Sequence, residues 1–239
     1  MSPFFFDLNI IMQQVLYQNI FHFDFQHPNK TWTKQRHNIT YAIAKLLPLL
    51  KTKTYFDIGA NIGIHAWLCN QFDIDVYCFE PNSALNKYIQ LNSKPRQLLN
   101  IAVGDYNGTA YFTKKAESTG NHIIKNENAN SLTIDIKKID DMKLPPPGII
   151  KFDVEGHETS AIKGASTTIK KFYPWIIVED KLNKEDIDKT LLELNYTTHS
   201  QWTKDSIWHH NYNQIPIDTI TIPPIDNDLR KLSPTNWQW

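Results

Sequence analysis

Apolar positions in the first fifty residues follow two regimes. From Tyr17 to Gln26 aromatic and polar residues mix without a period, and His27, Pro28 and Asn29 read as a turn. From Thr33 onward Ile39, Ala42, Ile43, Leu46 and Leu47 recur at helical spacing until Pro48 interrupts them, which predicts a helix packed on the edge of a sheet. A short apolar run with aromatic and β-branched residues, Thr54 to Ile58, reads as a strand, and a new helical pattern (Ile62, Ala66, Leu68, Cys69) begins just beyond it. The alternation then repeats. Asp75 to Phe79 is a second strand, and Asn82 to Gln90 a helix with Ser83 as its cap and Leu85, Tyr88 and Ile89 inward; Gln97 to Val103 is a third strand. Strands separated by helical patterns predict a parallel sheet with right-handed crossovers.

Between Gly108 and Asp141 the alternation breaks. Thr109 to Thr113 and Ser131 to Ile136 read as strands around a polar loop, Ser118 to Asn130, which contains Asn121 and His122. Loops above the carboxyl ends of an open α/β sheet commonly select the substrate, so this insertion is expected to carry acceptor specificity. Ile149 to Asp153 is the fourth strand, and a helix from near His157 turns Ala161, Ile162, Ala165 and Ile169 to the core. A fifth strand, Trp175 to Val178, ends in Glu179 and Asp180. The helix Lys184 to Leu194 follows, then an antiparallel pair, Tyr196 to Trp202 and Ser206 to His210. The expected organisation is an N-terminal extension over residues 1–50, one α/β domain over 51–213, and a tail over 214–239 rich in Pro, Asn and Asp. Tyr17, Phe21, Phe23, Phe25 and Trp32 of the extension are candidates for a lid, or for the extension's own anchoring core.

Composition narrows the partners. Lys and Arg together equal Asp and Glu, so the net charge is zero and no basic run tracks a phosphate backbone; nucleic acid is not expected as a partner. Phe4 to Phe6 is too short to span a membrane and lacks the basic flank of a signal peptide. Two cysteines, Cys69 and Cys78, both on core elements, suit a reducing compartment, and a soluble cytoplasmic protein is expected.

The chemistry concentrates in two stretches. In Asp57-Ile58-Gly59-Ala60-Asn61-Ile62-Gly63 a strand runs into a helix through a glycine turn, an arrangement that binds a ligand above the strand. Glu80 ends the next strand at the spacing of the acid that holds a ribose in dinucleotide folds. Asn61 and Ile64 stand where such folds need glycine, which disfavours a pyrophosphate. What remains looks like the cofactor site of the Rossmann-like S-adenosylmethionine (SAM) methyltransferases. That resemblance implies that the glycine turn holds the amino-acid end of SAM, that Glu80 accepts from both ribose hydroxyls, and that Asn100, Ala102 and Val103 border the adenine. In the second stretch, Lys151 and Asp153 are two apart on one strand, share a face and can pair. Glu155 and Glu158 sit where a helix start favours negative charge.

Together, Phe56 to Gly63, Phe79-Glu80-Pro81, Ala102-Val103-Gly104 and Lys151-Phe152-Asp153-Val154-Glu155-Gly156-His157-Glu158 resemble the FkbM-type SAM-dependent methyltransferases. The resemblance implies the class I methyltransferase fold: a mostly parallel seven-stranded sheet with helices on both faces and an antiparallel closing strand. It implies O-methylation of a sugar or glycan hydroxyl, with a deoxyhexose such as rhamnose as one acceptor. The cofactor set is then Asp57, Gly59, Ala60, Asn61, Gly63, Glu80, Asn100, Ala102 and Val103. Two routes handle the hydroxyl proton. Asp153 or His157 acts as general base with Lys151 holding the carboxylate ionised, or Asp153, Glu179 and Asp180 bind Mg²⁺ as a Lewis acid. A non-catalytic SAM-binding protein and a nucleotide-dependent oxidoreductase are the alternatives from other classes.

Overall fold

The computed structural model describes residues 38–113, 121–201, 204–210 and 212. The lid candidates Tyr17, Phe21, Phe23, Phe25 and Trp32 and the tail from 214 lie outside the described residues. In chain order, helix α1 (Asn38–Leu46) leads through a 3₁₀ turn at Pro48 into β1 (Thr54–Ile58), α2 (Ile64–Asn70), β2 (Asp75–Phe79), α3 (Asn86–Asn92) and β3 (Gln97–Leu99). The insertion supplies β4 (Ala102–Val103), β5 (Gly108–Thr113), β6 (Ile123–Ile124) and β7 (Ser131–Lys137). Next come β8 (Ile149–Phe152), α4 (Glu158–Lys163), α5 (Ser166–Phe172), β9 (Trp175–Glu179), α6 (Lys184–Glu193), β10 (Tyr196–Gln201) and β11 (Asp205–His210).

Seven strands form one sheet in the order β10-β11-β9-β8-β1-β2-β3. Pairing is parallel from β9 through β8, β1 and β2 to β3, and β11 inserts antiparallel between β9 and β10. This is the mostly parallel class I methyltransferase sheet expected above, closed by an antiparallel strand. The central strands read as unbroken apolar runs because both of their faces are covered. Alternation along each strand divides them: Tyr55, Val76, Ile149 and Ile177 join one buried cluster with α1, α2 and α3, whereas Phe56, Phe79, Ile150 and Val178 join a second with α4, α5 and α6. Ile39, Ala42, Ile43 and Leu46 of α1 share the first cluster with Ile149 and Trp175, so this helix covers a face instead of the edge expected for it. Face burial removes more apolar surface from water than an edge contact would.

Three further expectations change. The third strand stops at Leu99, because the Asn100 side-chain amide donates to the Glu80 carbonyl (3.1 Å) and pairs with Asn86 (2.7 Å), turning the chain where β2 has already ended. Ala102 and Val103 instead pair with β7 in a separate four-stranded sheet, β4-β7-β5-β6. The helix after β2 starts as a 3₁₀ turn capped by Asn82, whose Oδ1 accepts from the Ala84 amide (3.2 Å), so Ser83 is not the cap. The helix after β8 is split in two. Gly164 lies on the Gly104 carbonyl with no room for a Cβ, and the Asp140 carboxylate starts α5 by accepting from the Thr167 and Thr168 amides, each at 2.8 Å.

Candidate active site

The turn after β1 is built from backbone conformations and close packing. Gly59, Asn61 and Gly63 all have positive φ (82°, 52° and 82°), a region that glycine enters freely and asparagine tolerates. Gly59 also lies on the backbone carbonyl of Asp153, where any side chain would collide, so the ends of β1 and β8 are in direct contact. The Gly59 and Ala60 amides donate to the Phe79 carbonyl (2.9 and 3.2 Å), tying the turn to the end of β2.

Glu80 closes that link. Its Oε2 accepts from the Asn61 amide and its Oε1 from the Asn82 amide, both at 2.9 Å. Burial pushes the Glu80 carboxyl up to about 7, and the amides of Asn82 and Asn61 oppose that shift. Each oxygen keeps a second acceptor position, so a pair of vicinal hydroxyls fits it. An open cleft, about 620 Å³ with the open solvent it includes, is lined by Gly59, Asn61, Glu80, Pro81 and Asp153. Ile101, Ala102, Val103, Phe112, Asn121, Ile123 and His157 also line it.

Below the cleft, Asp57 and Lys151 are register partners across β1 and β8. The Lys151 ammonium lies 3.4 Å from Asp57 and 3.0 Å from Asp153, confirming that Lys151 and Asp153 share a face. Burial works against this ammonium, yet Asp153 and Asp57 outweigh it and raise its pKa above the usual lysine value. Burial likewise lifts the Asp57 carboxyl, with Lys151 opposing.

The turn from Asp153 to His157 is strained, with positive φ at Glu155 (52°) and at Gly156 (98°). Glu158 stabilises it from inside: Oε1 accepts from the Val154 amide (3.0 Å), and both carboxylate oxygens accept from the Gly156 amide at 3.1 Å. The Asn183 side chain holds the Gly156 carbonyl from the other side (2.8 Å). This arrangement turns the carboxylates of Asp153, Glu155 and Glu179 to within 4.8 Å of one another. Burial, then Asp153, Glu155 and Asp205, push Glu179 up to about 8; burial and Asp153 push Asp205, its register partner, to about 7.

The residues anticipated from the sequence therefore separate. Gly59, Asn61, Glu80, Ala102, Val103, Asp153 and His157 line the cleft. Asp57 and Lys151 lie beneath it, and Gly63 packs on α3 against Ile89 and Ser93. Exposed Asn100 does not line the cleft and is engaged with Asn86 and the Glu80 carbonyl. Asp180 is paired with Lys184 (3.5 Å), and Glu155 takes its place beside Asp153 and Glu179. His157 lies with its Nε2 beside Gly104 and Ile136, away from solvent and without a hydrogen-bond partner. Sequence reasoning missed Glu158 as the organiser of the turn, Asp205, and the cleft residues Phe112 and Ile123. Their types and spacing fit ordinary helix-start, strand-end and core positions equally well, so no local signal marks them.

Comparison with known proteins identifies the family. The family description "Methyltransferase FkbM domain" matches residues 57–213. The hexuronic acid methyltransferase AglP of Haloferax volcanii is 28% identical over 154 residues, which cover 60% of this chain and 63% of that protein. Among solved structures, a methyltransferase FkbM from Methylobacillus flagellatus superposes with a TM-score of 0.50 at 16% identity, covering 84% of this chain and 60% of that one. The latter is a likeness of fold.

Proposed function

This chain belongs to the FkbM methyltransferase family, and from that premise we propose that it transfers a methyl group from SAM to a hydroxyl of a sugar or glycan. The observation that carries the reading is Glu80, a buried carboxylate fixed by two backbone amides beside a glycine turn, with an acceptor position left on each oxygen. Bound SAM supplies an electrophilic methyl group on a sulfonium. Glu80 accepts from its ribose hydroxyls, and the turn at Gly59 and Asn61 lets the amino-acid end approach the backbone.

Asp153 takes the acceptor's hydroxyl proton. It is the lining carboxylate that a buried cation holds in place, and Lys151 orients it across 3.0 Å. Alignment of acceptor and methyl group supplies roughly 7 kcal/mol or more of the barrier, and a positioned base adds about 10²-fold to 10⁴-fold. A second reading has its own observation behind it: Asp153, Glu155 and Glu179 could hold a hard divalent cation that acidifies the hydroxyl.

A sugar acceptor is supported by the name of the Haloferax relative. Hexuronates and deoxyhexoses such as rhamnose, free, nucleotide-linked and polymer-borne, therefore form the test panel. The experiment is mass spectrometry of that panel after incubation with enzyme and methyl-labelled SAM, beside calorimetry with S-adenosylhomocysteine. Labelled glycan that disappears in Asp153→Asn, with cofactor binding kept, is the expected result. Cofactor binding with no transfer to any acceptor would favour a non-catalytic SAM-binding protein, and absence of cofactor binding would end the reading.

A further inference from the structure

Strand β1 carries one charged residue, Asp57, among Thr54, Tyr55, Phe56 and Ile58, and all five are buried. Ile58 and Gly59, which follow it, line the cleft, whereas Asp57 does not and is only 1% exposed. Neither of its carboxylate oxygens has a hydrogen-bond partner among the described residues. Its compensation is the Lys151 ammonium, 3.4 Å from Oδ1. A buried ion pair is commonly no more stabilising than well-packed apolar residues of the same volume, so stability alone does not explain this one in an otherwise apolar strand.

The same ammonium meets Asp153 Oδ2 at 3.0 Å, and the Asp153 side chain, 38% exposed, lines the cleft. Strand β1 and its following turn also fix the backbone of Asp153. The Asp153 amide donates to the Ile58 carbonyl (3.0 Å), and its own carbonyl lies so close to Gly59 that no Cβ would fit there. Residues Asp57 to Gly59 therefore hold Asp153 by its main chain directly and by its side chain through Lys151. Main-chain contacts do not set side-chain torsions; the contact with the ammonium does. We infer that Asp57 is a positioning residue for the proposed base: it fixes the Lys151 ammonium, which fixes the Asp153 carboxylate, and it does not touch the donor. The inference rests on the SAM reading above and on Asp153 as the base. It takes Asp57 out of the cofactor set to which the family resemblance had assigned it.

The test is a double-mutant cycle over Asp57→Asn and Lys151→Met. Each variant is checked by thermal melting, titrated with S-adenosylhomocysteine by calorimetry, and assayed for kcat and KM with methyl-labelled SAM and the hexuronates and rhamnose of the panel above. Asp57→Asn is expected to lower kcat by roughly 10²-fold, because a displacement of about 1 Å spoils alignment, and to leave cofactor affinity and acceptor KM as in wild type. The double variant is expected to have the kcat of Lys151→Met alone, since Asp57 acts through that lysine. Losses that multiply in the double variant would overturn the route through Lys151. Wild-type kcat in folded Asp57→Asn would overturn the positioning role, and weakened S-adenosylhomocysteine binding with kcat kept would return Asp57 to the donor. Where a single variant does not fold, the double variant decides, because it leaves no unpaired charge in the sheet: lowered kcat with wild-type cofactor affinity supports the inference, and wild-type kcat or weakened cofactor binding overturns it. Wild-type protein that binds no S-adenosylhomocysteine or labels no glycan, or full turnover in Asp153→Asn, would overturn the reading itself. Those results need no change at Asp57, so the two failures are distinct.

Discussion

Lys151 and Asp57 face each other across the two central strands, ammonium to carboxylate at 3.4 Å, with side chains only 5% and 1% exposed. The same ammonium reaches Asp153 at the cleft (3.0 Å), so a buried charge pair in the sheet is coupled directly to the proposed base. The partner of a buried ion cannot be removed without leaving the other uncompensated.

Lys151→Met is therefore expected to destabilise the protein by about 3–5 kcal/mol in urea unfolding. Asp57→Asn combined with Lys151→Met should recover much of that loss, because no unpaired charge is then left in the sheet. A single variant as stable as wild type would show that Asp57 is already neutral.

Glu80→Gln keeps the shape of the side chain but replaces one acceptor oxygen with an NH₂ group that faces a backbone amide, either Asn61 or Asn82. Charge-assisted hydrogen bonds contribute about 1.5–3 kcal/mol each, so S-adenosylhomocysteine should bind at least ten-fold more weakly by calorimetry. Undiminished affinity would remove Glu80 from the ribose.

Glu158 does not itself line the cleft but accepts from the amide of Val154, which does, and from that of Gly156. Glu158→Ala should cost about 2 kcal/mol of stability or more. It should also lower kcat by roughly 10²-fold, because a shift of about 1 Å in Asp153 spoils alignment. A variant that loses stability but keeps full kcat would separate the turn from catalysis.

Glu179 titrates near 8 when folded, against roughly 4.3 in an unfolded chain. The folded state thus holds this proton more tightly, so the contribution to stability is complete below about pH 4.3 and is lost as pH rises toward 8. Glu80 and Asp205, each near 7, act in the same direction. Melting temperatures of the ligand-free protein between pH 5.5 and 8.5 should therefore fall more steeply in wild type than in Glu179→Gln; parallel curves would contradict the assignment.

Asp153 is already matched by Lys151, which leaves the trio with Glu155 and Glu179 a weaker claim on a divalent cation than three free carboxylates would have. Turnover is expected to survive EDTA. If chelation abolishes it and Mg²⁺ restores it, the metal-assisted route replaces the lysine-assisted one.

Much of the sheet was legible because β1, β2, β8 and β9 are covered on both faces and so read as apolar runs bounded by polar ends. Glu80 was legible from its spacing after the glycine turn, and the contact of Lys151 with Asp153 from a separation of two on one strand. The contact of Lys151 with Asp57 was not, since strand order alone brings those positions together. Nor was the end of the third strand, where the side chain of Asn100 holding a carbonyl outweighs the apolar residues on either side of it. Glu158 had an adequate local explanation as a helix-start acid, which concealed its hold on the preceding turn.

By itself the sequence determined the alternation of strands and helices, the glycine turn, the acid after β2 and the charged end of β8, because backbone preference and hydrophobic period act over a few neighbouring residues. Tertiary structure alone decided that Asp57 lies beside Lys151, that β11 enters between β9 and β10, and that Phe112, Ile123 and His157 line the same cleft as Glu80. Those contacts join residues far apart in the chain, and their energies exist only once the packed sheets bring the side chains into reach.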